Sequence, residues 1–120
     1  MLLQLDEGDP RPLYAQIAAA IRRQVAAREL VPGDRLPSGR DLAEASGVTL
    51  ETVQRAYRVL VDEGVVVSRV GRGTTVADGV DPATLSLADE VDALVRSARA
   101  LAVDLDDVLA EVRRRWTAPS

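Results

Sequence analysis

The chain of 120 residues contains no cysteine and no histidine, and all fifteen of its basic residues are arginine. Without cysteine there are no disulfides and no thiolate sites. Without histidine, the commonest metal ligand and the side chain most used as acid or base near neutral pH are both missing. An enzyme is therefore not expected, and neither a metal nor another cofactor is implied. No apolar run approaches the roughly 20 residues of a membrane-spanning helix, and the N-terminus lacks a charged-then-apolar signal segment, so a cytoplasmic protein with no membrane partner is expected. The length suffices for one domain of ordinary size, or for a small domain with a helical appendage.

Charge is unevenly spread. The net charge is −4, but residues 1–79 carry ten arginines against eleven acids and residues 80–120 carry five against eight. Binding of a polyanion depends on local charge, and Arg35, Arg40, Arg55, Arg58, Arg69 and Arg72 all fall within or beside one stretch, residues 36–76.

That stretch has a recognisable layout. Ahead of it, a short strand is expected at Leu2 to Leu5, and Pro12 is placed at the first position of a helix. Leu13, Ile17, Ile21 and Val25 make one apolar stripe on that helix to about Arg28. Val31-Pro32-Gly33-Asp34 forms a turn that leads into an extended Arg35-Leu36-Pro37. Ser38 with Asp41 resembles a capping box, so a second helix runs from about Gly39 to Ala45 and stops at Gly47. Thr49 caps a third helix that buries Val53, Ala56, Tyr57, Leu60 and Val61 and ends at Gly64. Its opposite face shows Leu50, Glu51, Gln54, Arg55 and Arg58. Val65-Val66-Val67 and Thr74-Thr75-Val76 are β-branched, and Gly71-Arg72-Gly73 between them supplies a hairpin tip. Three helices followed by a basic hairpin are the layout of a winged helix-turn-helix. Its common use is insertion of the third helix into a DNA major groove, with the hairpin against the backbone.

Asp78-Gly79-Val80-Asp81-Pro82 reads as a hinge. Beyond it Leu87, Val91, Leu94, Ala98 and Leu101 form a heptad-like seam on a helix from roughly Ala83 to Ala102. Asp104 with Asp107 caps a last helix carrying Leu105, Val108, Leu109, Val112 and Trp116 on one side. Two such helices must bury their apolar faces against the first domain, each other or a second copy. Arg113-Arg114-Arg115 admits a nucleic-acid reading, but a basic last turn also complements the helix dipole, and that is the favoured explanation.

The segments LYAQI, PGDRLPS, GRDLA, GVTLETVQRAYRVL and GRGT follow one another in an order and spacing that resemble the DNA-binding domain of the GntR family of bacterial transcriptional regulators, over residues 11–79. The tail, residues 83–116, resembles the dimerisation region of the YtrA-like subfamily. The resemblance implies an α+β, mainly α fold: a winged helix-turn-helix domain followed by a two-helix C-terminal dimerisation region. It implies a homodimeric regulator, generally a repressor, on an inverted-repeat DNA operator. Its operator contacts fall on Arg40, on Thr49, Leu50, Glu51, Thr52 and Gln54, and on Val70, Gly71 and Arg72 of the wing. Ser38, Arg55 and Arg58 join them by position. Arg40 suits guanine O6 and N7, Gln54 suits adenine, and Thr49 and Thr52 suit phosphate at a helix N-terminus. Leu50 and Glu51 depart from the family pattern, so the target sequence does not transfer. Arg55 has a competing partner in Glu51 at i, i+4.

The second reading is of a different class, a winged-helix adaptor that binds protein rather than DNA. Enzymatic relatives with a pyridoxal phosphate lysine are excluded by the absence of lysine, and metal-binding ones by the absence of histidine. The tail is too short for a separate ligand domain, so any small-molecule effector would occupy the dimer interface or the hinge.

Overall fold

The computed structural model describes residue 3 and residues 5–118. It divides into two compact units, residues 1–86 and 87–120.

In the first unit, helix α1 (Leu13–Ala26) buries Ile17, Ala18, Ile21 and Val25, the stripe expected of its i, i+4 spacing. Pro12 is the N-cap rather than the first helical residue, and the helix closes at Ala26 because Arg28 turns to φ +63, the left-handed region. Gln16 is buried and clamps the lead-in segment: its Oε1 accepts from the Asp6 N–H at 3.0 Å and its Nε2 donates to the Arg11 carbonyl at 3.0 Å. Leu3 and Leu5 lie outside any strand and pack on the core, while the rest of the expected Leu2 to Leu5 strand, Leu2 and Gln4, lies outside the described residues.

Helices α2 (Gly39–Ser46) and α3 (Leu50–Asp62) begin and end where their caps dictate. Ser38 Oγ accepts from the Asp41 N–H at 3.1 Å, and Thr49 Oγ1 accepts from the Thr52 N–H at 3.2 Å. Gly47 at φ +68 ends α2 in the left-handed conformation that glycine adopts without steric cost. Leu42, Val53, Ala56 and Leu60 join the α1 stripe to form the core, and Arg22 of α1 donates to Glu63 at 3.0 Å, tying α1 to the end of α3. Val61 departs from expectation. It is 40% exposed, because Val53, Ala56 and Leu60 already fill the inward face and the next position turns toward the hairpin side.

Strands β1 (Val66–Arg69) and β2 (Gly73–Val76) pair antiparallel, Val66 opposite Val76 and Arg69 opposite Gly73. Val66 and Val76 point into the core and anchor the hairpin's base. The extended segment before α2 adds a third edge to this sheet. The Leu36 N–H donates to the Thr74 carbonyl at 2.8 Å, the Val76 N–H to the Asp34 carbonyl at 2.8 Å, and Arg35 bridges Thr75.

The expected hinge at Asp78 to Pro82 is instead fixed to this unit. Val80 and Leu85 pack against the core, and Asp81 caps a one-turn helix, α4 (Pro82–Leu85), that lies on α1. The Thr84 hydroxyl and then the Ala83 N–H bond to the Asp81 carboxylate and hold its pKa below the ordinary value. The single helix expected from Ala83 to Ala102 is therefore broken at Ser86–Leu87. The Ser86 hydroxyl donates back to the Pro82 carbonyl at 2.8 Å while Leu85 is held by the core, so the compact unit extends to Ser86, beyond the expected limit at Gly79.

The second unit holds α5 (Ala88–Ala100) and α6 (Leu105–Thr117), the latter capped by Asp104, whose carboxylate accepts from the Asp107 N–H at 3.0 Å. Neither helix buries a single described residue. No helix among the described residues is long and apolar enough to cross a membrane.

Candidate nucleic-acid interface

Helix α3, the start of α2 and the hairpin enclose an open groove of about 1120 Å³. Arg40 and the neighbouring Ser38 come from the start of α2, Gln54 and Arg58 from the outer face of α3, and Ser68 and Thr74 from the two strands. The structure thus brings together residues separated by up to a third of the chain. Asp41 and Asp62 line the same groove, so it is not uniformly basic. Arg40, Arg58, Arg69 and Arg72 form no ion pair among the described residues, although each is exposed. An unpaired guanidinium retains all five donors for an external acceptor.

The N-terminus of α3 offers fewer hydroxyl donors than its sequence suggests. Thr49 Oγ1 and Thr52 Oγ1 lie 2.8 Å apart and share one hydroxyl hydrogen between them. Only one of the two hydroxyls is left to donate outward, beside the free N–H groups of the first turn. Glu51 occupies the same turn, where a carboxylate complements the helix dipole, and it is exposed. Leu50 is half-buried. Its Cδ1 lies 3.0 Å from where a Cβ of Gly39 would stand, so it packs α3 onto the start of α2 as well as facing the groove.

Arg55 does not take Glu51 as its partner. Its guanidinium lies over the Tyr14 ring, 3.9 Å from the centroid, and not in an ion pair with Glu51. Stacking on an aromatic face leaves the N–H edge of the group unspent. Tyr57 is also partly buried and donates its hydroxyl to the Pro37 carbonyl at 2.8 Å, joining α3 to the turn that positions Ser38. Burial pushes its pKa up to about 12.

At the hairpin tip the Arg72 N–H donates to the Arg69 carbonyl at 3.0 Å, and Gly71 takes φ +80 with no atom near its missing side chain. Val70 stands fully in solvent at the turn, and Arg72 is exposed beside it. Two contacts carry no signal in the sequence: Tyr14 under Arg55, and Arg35, already counted among the basic residues of this stretch, against Gly73; only the tertiary fold creates them.

The residues expected to dimerise all lie in the second unit. Val91, Leu94 and Ala98 lie on α5, with Leu87 and Leu101 at its two caps, and Leu105, Val108, Val112 and Trp116 lie on α6. Trp116 is 85% exposed and Leu101 is 74% exposed, and Val95, Val103 and Leu109 add further apolar surface. Arg114 and Arg115 both pair with Glu111, which accounts for two of the three consecutive arginines without nucleic acid.

Residues 13–76 match the family model described as bacterial regulatory proteins, gntR family. The chain belongs to the GntR family. Its sequence is 37% identical over 107 residues to the HTH-type transcriptional regulator Rv1152 of Mycobacterium tuberculosis, covering 89% of this chain and 88% of that one. Among solved structures it resembles YtrA from Sulfolobus acidocaldarius, a GntR-family transcription factor, with TM-score 0.64 and 36% identity over 83% of this chain and 99% of that one. It also resembles the AraR DNA-binding domain solved in complex with operator ORX1, with TM-score 0.58 and 28% identity over 64% of this chain and 99% of that one. The mainly helical fold with its small hairpin is that of the GntR winged helix, followed by C-terminal helices. The protein is a GntR-family transcriptional regulator of the DNA-binding type.

Proposed function

We propose that the chain acts as a homodimeric repressor on an inverted-repeat operator, with α3 entering the major groove and the hairpin resting on the adjoining backbone. Repression is the mode that the family resemblance implies. Arg40 and Gln54 read base edges, and Thr49, Thr52, Arg55, Arg58 and Arg72 contact phosphates. Ser38, Leu50, Glu51 and Gly71 shape the surface between them. The observation that carries this reading is the groove between α3 and the hairpin. It gathers Arg35, Arg40 and Arg58 from three elements, none with an ion pair among the described residues, on a fold whose AraR counterpart is bound to an operator.

Dimerisation falls to the second unit, whose two amphipathic helices leave their apolar faces in solvent. A small-molecule effector, if the protein responds to one, would sit in that interface.

The test is titration of the chain into a duplex taken from the DNA upstream of its own gene, at increasing salt. Phosphate contact releases counterions, so affinity is expected to fall linearly with salt on logarithmic axes, with a slope of several units. Binding that is absent or insensitive to salt would favour the protein-adaptor reading.

A further inference from the structure

Arg35 lies in the seam between the reading helix and the hairpin. Its backbone is held as the third edge of the sheet by the Leu36 N–H to Thr74 carbonyl bond and by the bridge to Thr75. Leu36 points into the core, so Arg35 points the other way. Residues two apart on a strand share a face, and a side chain opposite Thr75 therefore reaches diagonally to position 73. That position is glycine. A Cβ there would stand 3.1 Å from both Nε and Nη2 of Arg35, so the guanidinium occupies the space that any other residue would fill. Gly73 also takes φ +74, where a side chain is strained. Gly71 differs, since nothing approaches its missing side chain.

Arg35 is exposed toward the groove and forms no hydrogen bond or ion pair through its side chain among the described residues. A guanidinium seated against backbone with its donors unspent has lost much of its rotamer freedom before any ligand arrives. With α3 in a major groove and the hairpin beside the next backbone, the sugar–phosphate strand between the two must cross this concavity.

We propose that Arg35 is a phosphate contact for that strand and that Gly73 is its seat. This rests on the DNA-binding reading above. Its test uses the full chain and two duplexes of equal length, one of random sequence and one from upstream of its own gene. Fluorescence anisotropy is followed against potassium chloride for the unaltered chain, Arg35→Gln, Arg35→Lys and Gly73→Ala, with thermal unfolding of each.

Arg35→Gln keeps most of the stem and removes the charge. It is expected to lower affinity about tenfold at moderate salt and to flatten the salt slope by about one, equally on both duplexes, with the unfolding midpoint unchanged. Arg35→Lys retains most of the slope, and Gly73→Ala reproduces the loss by displacing the guanidinium. An unchanged slope for Arg35→Gln would overturn the proposal, as would a loss confined to the upstream duplex. Full slope in Gly73→Ala would overturn the seat. If the unaltered chain fails to bind either duplex at low salt, the DNA-binding reading itself falls, a result distinct from the others.

Discussion

The Arg55 guanidinium stacks on the Tyr14 ring at 3.9 Å from its centroid, joining the outer face of α3 to the first turn of α1. Such a contact near the surface is worth about 0.5–1 kcal/mol. Tyr14→Leu and Arg55→Ala are each expected to lower the unfolding free energy in urea, and the double variant to lose about 0.5 kcal/mol less than their sum. Strict additivity would show that the two groups are merely neighbours.

Arg40 stands at the start of α2 with no ion-pair partner among the described residues and opens onto the groove. Arg40→Ala is expected to cost about 1–3 kcal/mol on the operator and to relax discrimination at one base position in each half-site. A binding-site selection with the variant measures this. An equal loss on random DNA would make Arg40 a phosphate contact instead.

Elements set by local chemistry were legible in the sequence. Ser38, Thr49 and Asp104 each place a helix start through one side chain and one N–H a turn away, and Gly47 and Gly64 end helices through backbone freedom. That Ser38, Arg40, Gln54 and Arg58 would line one groove was legible because family spacing fixes their elements. Contacts that depend on packing were not. Neither Tyr14 under Arg55 nor Arg35 against Gly73 has a signature in spacing, since each pair meets only when distant segments dock. The break at Ser86–Leu87 was hidden for a related reason. Leu85, Leu87 and Val91 all suit one apolar helix, and only capture of Leu85 by the core and the Ser86 back-bond separate them.

Tyr57 gives a pH dependence with a definite sign. Its folded pKa is raised from about 10 to about 12, so the folded state holds this proton more tightly than the unfolded chain does. The corresponding stability is fully present below about pH 10 and is lost as pH rises toward 12. Tyr57→Phe is expected to be less stable at neutral pH, through loss of the Pro37 bond, and to lose less stability over that alkaline window than the unaltered chain. Parallel alkaline losses in the two proteins would remove Tyr57 as the cause.

The second unit should control oligomeric state. Its apolar residues, Trp116 and Leu101 most of all, stand exposed, and clustered exposed apolar side chains mark an interaction surface. Truncation after Ser86 keeps α4 on α1 and the core intact, and is expected to yield a folded monomer that binds a full operator about a hundredfold more weakly. Sedimentation of the intact and truncated chains, each with operator titration, checks this. A monomeric intact chain, or equal operator affinity after truncation, would remove the tail from the recognition scheme.

Hydroxyl-radical footprinting of the DNA upstream of the protein's own gene tests the central claim most directly. A dimer reading through α3 and the hairpin predicts two protected half-sites related by a two-fold axis, their centres about one helical turn or a multiple of it apart. Arg40→Ala and Arg35→Gln should weaken protection in both halves alike. No protected segment at protein concentrations that saturate the duplex, or protection with no two-fold relation, would contradict the account.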